Sequence, residues 1–391
     1  MRRSRTVFAF LATSAIVVGC SSGGGGGGSA APSSEAPAAS SPAASESAGA
    51  SESASAGASA ACNPPKQDGV TLSFTSFGGV YQEAQRKAWL TPYTELTGVQ
   101  FTEDENSSNA TIKSQVEAGQ VTWDVVDVGN DFGLDVHKDL LEPLDFTLIP
   151  KDEMNADLGI TDYRVPDITY GVVLAYNTDV LGAGKVPAGW ADYFDTAKFP
   201  GKRGAWDYSE GGMFEFALMA DGVAPKDLYT PTLDLERATK KLDTIKDDIV
   251  WWDSGTTSMQ LLSNGECSMG MMWNGRLFDA IENQKLPFGY TWNGGLRTAA
   301  YYAVPKGAPE TKTGMAAMAM WVLDRQGQID FVNKTTYNTD IKDLTLDDYQ
   351  ANVRPYIAQG PNVAKTVTED SQYYGKNLDA VSQELAEFQS Q

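Results

Sequence analysis

Between residues 21 and 61 the chain is built only of Gly, Ser, Ala and Pro, apart from Glu35, Glu46 and Glu52. A segment of that composition cannot bury enough apolar surface to offset the conformational entropy of ordering it, so it is expected to stay disordered. Its effect on the rest of the chain is direct. A folded body has to be made from residue 62 onward, roughly 330 residues, which is too long for one ordinary core and suited to two lobes. As a flexible linker, with a reach of about 5–6 Å times the square root of its length, it holds that body some tens of Å from whatever anchors its start. Its serines could carry glycans, but it reads as a spacer with no recognition role of its own.

Upstream, Arg2, Arg3 and Arg5 precede an apolar run over residues 7–18 that ends at Gly19-Cys20. A charged start followed by an apolar stretch shorter than the ~20 residues of a bilayer span is the pattern of a secretory signal. The tetrapeptide VVGC (17–20) resembles a bacterial lipobox. That resemblance makes residues 1–20 a lipoprotein signal, Cys20 the expected lipidation site, and the mature chain an extracytoplasmic protein anchored to the outer face of the cell membrane.

The formal net charge is −21, and the three signal arginines match the three linker glutamates, so the folded body carries the same excess. Nucleic acid and anionic membrane surfaces require clustered Lys and Arg, and neither is an expected partner. A cationic ligand is compatible with the charge, although solubility alone accounts for many acidic extracellular proteins. Besides Cys20 there are only Cys62 and Cys267. The two could pair in an oxidising exterior, but Cys267 reads as a small buried side chain of a strand. The single histidine, His137, stands before Lys138 and Asp139 in a segment that reads as helical, and is expected at the surface. It has no GxSxG or HExxH neighbour, so no catalytic triad, metal or cofactor is expected.

Folded structure is expected from about residue 70. VTLSF alternates as a strand, SFGG turns into a helix over 80–96 with a kink at Pro92 and a stop at Gly98, and a second unit follows: strand 100–103, helix 110–118, strand 124–128. TYGVVLAYN (169–177) is apolar almost throughout, as a strand buried on both faces is. Helices are expected over 235–247, 257–264, 277–284 and 312–323. A buried strand over 267–272 delivers Trp273 and Asn274 to its carboxyl end, where open α/β sheets place ligands. A short strand is expected to end at Trp292. Gly294-Gly295 then reads either as a hinge between lobes or as an ordinary turn before the strand YYAVP.

At WNGR (273–276), WNG (292–294) and VPKGAP (304–309) the chain resembles the extracytoplasmic substrate-binding proteins of ABC importers, in particular the spermidine/putrescine-binding family. SFGGVYQEAQRKAWLTPY, TWDVVDVGN, YGVVLAYNTDVL, GWADYFDTAKFPGKRGAWD and WWDSG agree in the same order, so the likeness spans residues 70–388. It implies an α/β, two-lobed periplasmic-binding-protein-like fold of type II. Lobe 1 is expected over 62–169 with 299–339, and lobe 2 over 170–298 with 340–391. It also implies a monomer that hands its ligand to a membrane permease and its ATPase. The expected cleft is lined by Phe77, Tyr81, Asp131, Trp273, Tyr301 and Tyr337, with Asp207 and Glu210 opposite. Trp123, Trp190 and Trp321 are assigned to the core. Aromatic faces of this kind hold a cation at about 0.5–2 kcal/mol per contact, while carboxylates fix amine ends.

Two positions depart from the family. Its acid on the returning strand aligns with Ala300, and its tail Gln with Gly375. Arg276 and Arg297 stand nearby, and an Arg fork pairs with a carboxylate. The main expectation is therefore a small amine such as putrescine or spermidine, with an ω-amino acid or other zwitterion as the alternative. An extracellular carbohydrate-active enzyme is the second alternative, since glycoside hydrolysis needs two flanking acids. A binding protein with no enzymatic activity is the preferred class.

Overall fold

The structure is a computed structural model that describes residues 64–155 and 159–390; Cys20, the linker and Cys62 lie outside these residues, as does any pairing of Cys62 with Cys267. Its strands are β1 (Thr71–Thr75), β2 (Gln100–Asp104), β3 (Val125–Val128), β4 (Val165–Asn177), β5 (Lys202–Trp206), β6 (Ile249–Trp252), β7 (Cys267–Trp273), β8 (Phe288–Ala303) and β9 (Val367–Thr368). They form one mixed sheet in the order β2-β1-β3-β8-β4-β7-β5-β6, with β9 added to β8. At one end β1, β2 and β3 are parallel; at the other β5, β6 and β7 are parallel.

Two long antiparallel strands join these ends. β4 is buried along its whole length except at Tyr170, which explains its continuous apolar sequence. The last residues of β8 pair with β3, from Val126↔Ala303 to Val128↔Tyr301. The second half of β4 pairs with β7, from Val172↔Trp273 to Tyr176↔Met269. Each parallel group is thus hydrogen-bonded to one member of the β4–β8 pair, the arrangement of a two-lobed α/β protein.

The expected break at Gly294-Gly295 is absent, because β8 runs through it. Val172 faces Leu296 while Leu174 faces Thr291, so β8 carries extra residues there as a bulge. Gly294 takes φ +73, a left-handed value that suits glycine, and its carbonyl accepts a 2.7 Å bond from the Trp190 indole. Trp190 is buried against Phe216, with ring centroids 3.6 Å apart, and Trp123 and Trp321 are core residues as expected.

Helices fill the crossovers. α1 (Gly79–Gln85) continues through a π-turn (Arg86–Leu90) into α2 (Thr91–Thr97), so the irregularity expected at Pro92 comes one turn earlier. α3 (Asn109–Ala118) matches its expected span. α4 (Met213–Ala220) carries no polar face to betray it and is buried nearly all round. α5 (Leu235–Leu242) ends five residues early in a 3-10 segment, and α6 (Gly255–Ser263) starts two residues early. α7 (Asn274–Phe278) begins directly after Trp273 and passes into a second π-turn. α8 (Thr311–Leu323), α9 (Arg325–Thr335) and the tail helix α10 (Ser371–Ser390) complete the chain. His137 lies in a 3-10 turn rather than a longer helix. Its ring packs 4.3 Å from Phe132, and burial pushes it down to about 4. Cys267 is fully buried, as its place in a strand suggested.

Asn274 ties β4 to the segments that follow α9. Fully buried, its Oδ1 accepts the Gly171 N–H of β4 at 2.8 Å, while its Nδ2 donates to the carbonyls of Thr336 and Tyr356 at 2.9 and 2.8 Å. Asn274→Ala strands one buried N–H and two carbonyls, and should cost about 3 kcal/mol or more in urea unfolding at an unchanged m-value.

Candidate functional site

The carboxyl ends of β1, β3, β5, β6 and β7 converge on a cavity of about 760 Å³. Loops at such ends are free of the sheet ladder and can turn side chains inward. On one side Trp206 stacks on Tyr208 (5.1 Å) and Trp252 (5.6 Å), with Trp273 edge-on to Trp206 at 4.9 Å. On the other, Phe77 stacks on Tyr81 (6.4 Å), and Tyr337 meets both Tyr81 (5.9 Å) and Tyr170 (5.8 Å). Phe77, Tyr81, Trp273 and Tyr337 therefore fall where the sequence placed them, on the cavity wall. The Tyr81 hydroxyl points away from the cavity, within hydrogen-bond distance of Asp127 (2.7 Å) and Asp167 (2.5 Å), a buried acid pair also held by Gln85. Burial raises both acids, Asp167 to about 6, and the charge of Asp167 raises Asp127 further.

Carboxylates are concentrated in one region. Glu210 lines the cavity and is 4 % exposed, and neither of its oxygens makes a hydrogen bond within ordinary limits. Desolvation, then Asp131 and Glu369, push it well above the usual carboxylate range. Glu369, from the tail, lines the same wall; its Oε2 accepts from Thr298 (2.5 Å) and Asn130 (2.9 Å), and its Oε1 is buried without a partner. Desolvation also raises Glu369, with Glu215 and Asp131 adding to it. Asp131 is buried beside Glu210 rather than on the wall. Asn109 holds its Oδ2 at 2.7 Å, and desolvation lifts it to about 6. The buried Arg164 guanidinium, 3.6 Å from the Tyr301 ring centroid, offsets part of this charge from behind.

Arg276 lines the cavity with no hydrogen-bond or ion-pair partner among the described residues, and its Nε is buried. It lies flat against the first turn of α6, where any side chain at Gly255 would collide with it. Its charge acts on Tyr337, whereas Tyr170 feels Glu369 and Glu210. The edge-to-face Tyr170–Tyr337 pair thus stands between the carboxylates and the guanidinium.

Besides Asp131, which was expected on the wall, three expectations are corrected. Tyr301 is a core residue off the cavity, its hydroxyl donating to Asn130 at 3.0 Å, because strand alternation turns Thr298 and Ala300 to the wall and Ala299 and Tyr301 to the opposite face. Asp207 reaches the cavity wall but is exposed, and its Oδ1 accepts from Gln389 of α10 at 2.7 Å, so the buried unpaired acid of that turn is Glu210. Arg297 is paired with Asp340 at 3.3 Å and does not line the cavity. Gly375 likewise contributes nothing to the wall; it lets α10 pack on Leu134. Glu369, Tyr170 and Trp206 were missed, whereas Tyr208 reaches the cavity with the turn after β5, as expected. For Glu369 no local signal exists, since only its pairing beside β8 brings it in.

Raised carboxyl groups bind protons more tightly folded than unfolded, so their contribution to stability is full below pH ~4 and is lost as pH rises through their folded pKa values. The unliganded protein should therefore melt at a lower temperature at pH 8 than at pH 5. Glu210→Gln should flatten that slope and stabilise the protein at pH 8 by on the order of 1–3 kcal/mol, read by calorimetry.

Residues 88–355 match the profile of the bacterial extracellular solute-binding proteins. A γ-aminobutyric acid-binding protein of Pseudomonas aeruginosa is 34 % identical over 247 residues, covering 61 % of this chain and 68 % of that one. The solved structure of the Atu4243 GABA receptor superposes with a TM-score of 0.75 at 35 % identity, covering 83 % of this chain and 98 % of the other. A spermidine/putrescine ABC transporter substrate-binding protein from Streptococcus pneumoniae reaches a TM-score of 0.62 at 15 % identity, over 82 % of this chain and 99 % of that one, and so shares the fold alone. The likeness read from WNGR and its companion segments thus holds for the wider family, while the polyamine branch of it gains no support. With its two-lobed α/β fold and a cavity at the strand ends, the chain belongs to the bacterial extracellular solute-binding proteins of ABC transporters.

Proposed function

We propose that the protein captures a small ω-amino acid of the γ-aminobutyrate class and delivers it to an ABC permease. The observation that carries this reading is a pair of opposite charges in one cavity: Arg276, whose buried Nε has no hydrogen-bond partner among the described residues, and Glu210, whose two buried oxygens make no hydrogen bond within ordinary limits although Tyr208 and Asp131 lie beside them. A zwitterion satisfies both, its carboxylate in the Arg276 fork and its ammonium against Glu210, with its methylene stem along Tyr170 and Tyr337. A diamine would satisfy the acids but set its second ammonium against a guanidinium, which favours the zwitterion over the polyamine first expected. The names of the relatives bear on the same choice, since two at 34–35 % identity are GABA-binding proteins.

The two lobes would close on the ligand by a rigid-body motion, with the crossing segments 169–171 and 293–300 absorbing the backbone change. The body would act as a monomer, tethered through a lipidated Cys20, and would leave its ligand chemically unaltered.

Titration calorimetry with γ-aminobutyrate and putrescine tests the assignment. The zwitterion should bind more tightly, and Arg276→Ala should weaken it by about 2–5 kcal/mol, the range for removing one partner of a buried charge pair. Putrescine binding the more tightly, with Arg276→Ala neutral, would sink it. Separately, Cys20→Ser should move the protein from the membrane to the soluble fraction, since one missing lipid attachment removes the anchor.

A further inference from the structure

We infer that Glu369 selects for a primary ammonium on the ligand, so that the site accepts amines with three N–H donors and rejects N-methylated analogues of the same length. The inference rests on the reading that an amine enters at the Glu210 end, and adds a residue and a selectivity to it.

The placement of Glu369 is a property of β9. Two residues of this strand pair in parallel with β8, Leu296↔Val367 and Arg297↔Thr368, and the Glu369 N–H then donates to the Arg297 carbonyl at 2.9 Å. That register sets the side chain beside Thr298, on the face of β8 that lines the cavity. Both bonds to its head group fall on one oxygen: Thr298 Oγ1 and Asn130 Nδ2 donate to Oε2. The orientation of Asn130 is itself fixed, because its Oδ1 accepts from Tyr301. Glu369 is therefore a held carboxylate, 5 % exposed, with Oε1 left over.

With both oxygens of Glu210, which lie beside Tyr208 and Asp131, the cavity offers three buried carboxylate oxygens that make no hydrogen bond within ordinary limits among the described residues. Asp131 and Glu215 add negative charge behind them, and Arg164 is the cation that partly offsets it. A primary ammonium brings three N–H donors and one positive charge, matching the three acceptors. A trimethylammonium brings the charge but no donor, and would bury the same oxygens still unpaired. Sites built around hydrogen bonds discriminate strongly against analogues that lack them.

The test measures γ-aminobutyrate, its N-methyl and its N,N,N-trimethyl analogues against wild type and Glu369→Gln by titration calorimetry, with melting curves to check folding. Wild type should prefer the primary amine over the trimethyl analogue by at least about 100-fold, with the N-methyl compound between. Glu369→Gln, of nearly equal shape, should weaken the primary amine by about 30-fold or more and the trimethyl analogue, which loses only the attraction of the charge, by much less, so that the ratio falls about tenfold. A ratio that survives Glu369→Gln overturns the inference. So does wild type that binds the trimethyl analogue equally well, a result that does not depend on the variant folding. If wild type binds none of the three, the ω-amino acid reading fails instead; putrescine against its fully N-methylated form then decides the ammonium preference, and no binding of either overturns both.

Discussion

The antiparallel pairing of β4 with β8 is what the rest of the molecule depends on. Each strand is long enough to be hydrogen-bonded to one parallel group and to cross towards the other, so the two halves of the sheet share a backbone ladder instead of a loop. Because the parallel strands at both ends point their carboxyl termini at the crossing, their loops converge there, and the cavity follows from the topology. The bulge at Gly294 sits within the β4 pairing, which continues on both sides of it. Trp190 satisfies its exposed carbonyl, so the irregularity costs no hydrogen bond. Asn274 supplies the remaining tie, satisfying the Gly171 N–H at the same crossing.

That framework holds charge in a state that folding alone would not choose. Glu210, Glu369 and Asp131 are buried close together, with Arg164 the buried cation that offsets part of their charge, and desolvation first and then mutual charge displace their protonation equilibria upward. Arg276 is buried at its Nε, which has no hydrogen-bond partner among the described residues. A buried ion without a partner is among the costlier things a fold can carry, and the large β4–β8 core is what makes the cost tolerable. The surplus on each side of the Tyr170–Tyr337 pair is available as binding energy for a molecule with the opposite pattern.

How much of this was legible can be judged residue by residue. Trp273 and Arg276 were found because WNGR follows a buried strand, and the strand-end position alone puts such residues on the wall. Glu210 and Asp207 were found as a pair from one turn. Which of them is buried depends on α10, whose Gln389 takes up Asp207 and leaves it in solvent. Tyr301 was misplaced by a single residue of strand phase: with period-two alternation, a shift of one exchanges wall for core, and the phase is set by the pairing with β3 and β4, not by the local sequence. Gly294-Gly295 read as a break because paired glycines usually interrupt strands; here the partner strand continues on both sides and carries β8 through.

By itself the sequence determined the class of fold, the long buried strand β4, the strand-end location of the site and its aromatic and acidic character. These depend on periodicity, composition and local turn chemistry, which neighbouring residues carry. The tertiary structure alone decided which acids meet. Glu369 lies 159 positions from Glu210 along the chain and reaches the cavity only through the two-residue strand β9, while Arg297, next to Thr298 of the wall, is taken out of play by Asp340. Electrostatic environment is a sum over groups brought together from distant parts of the chain, and no local pattern encodes that sum.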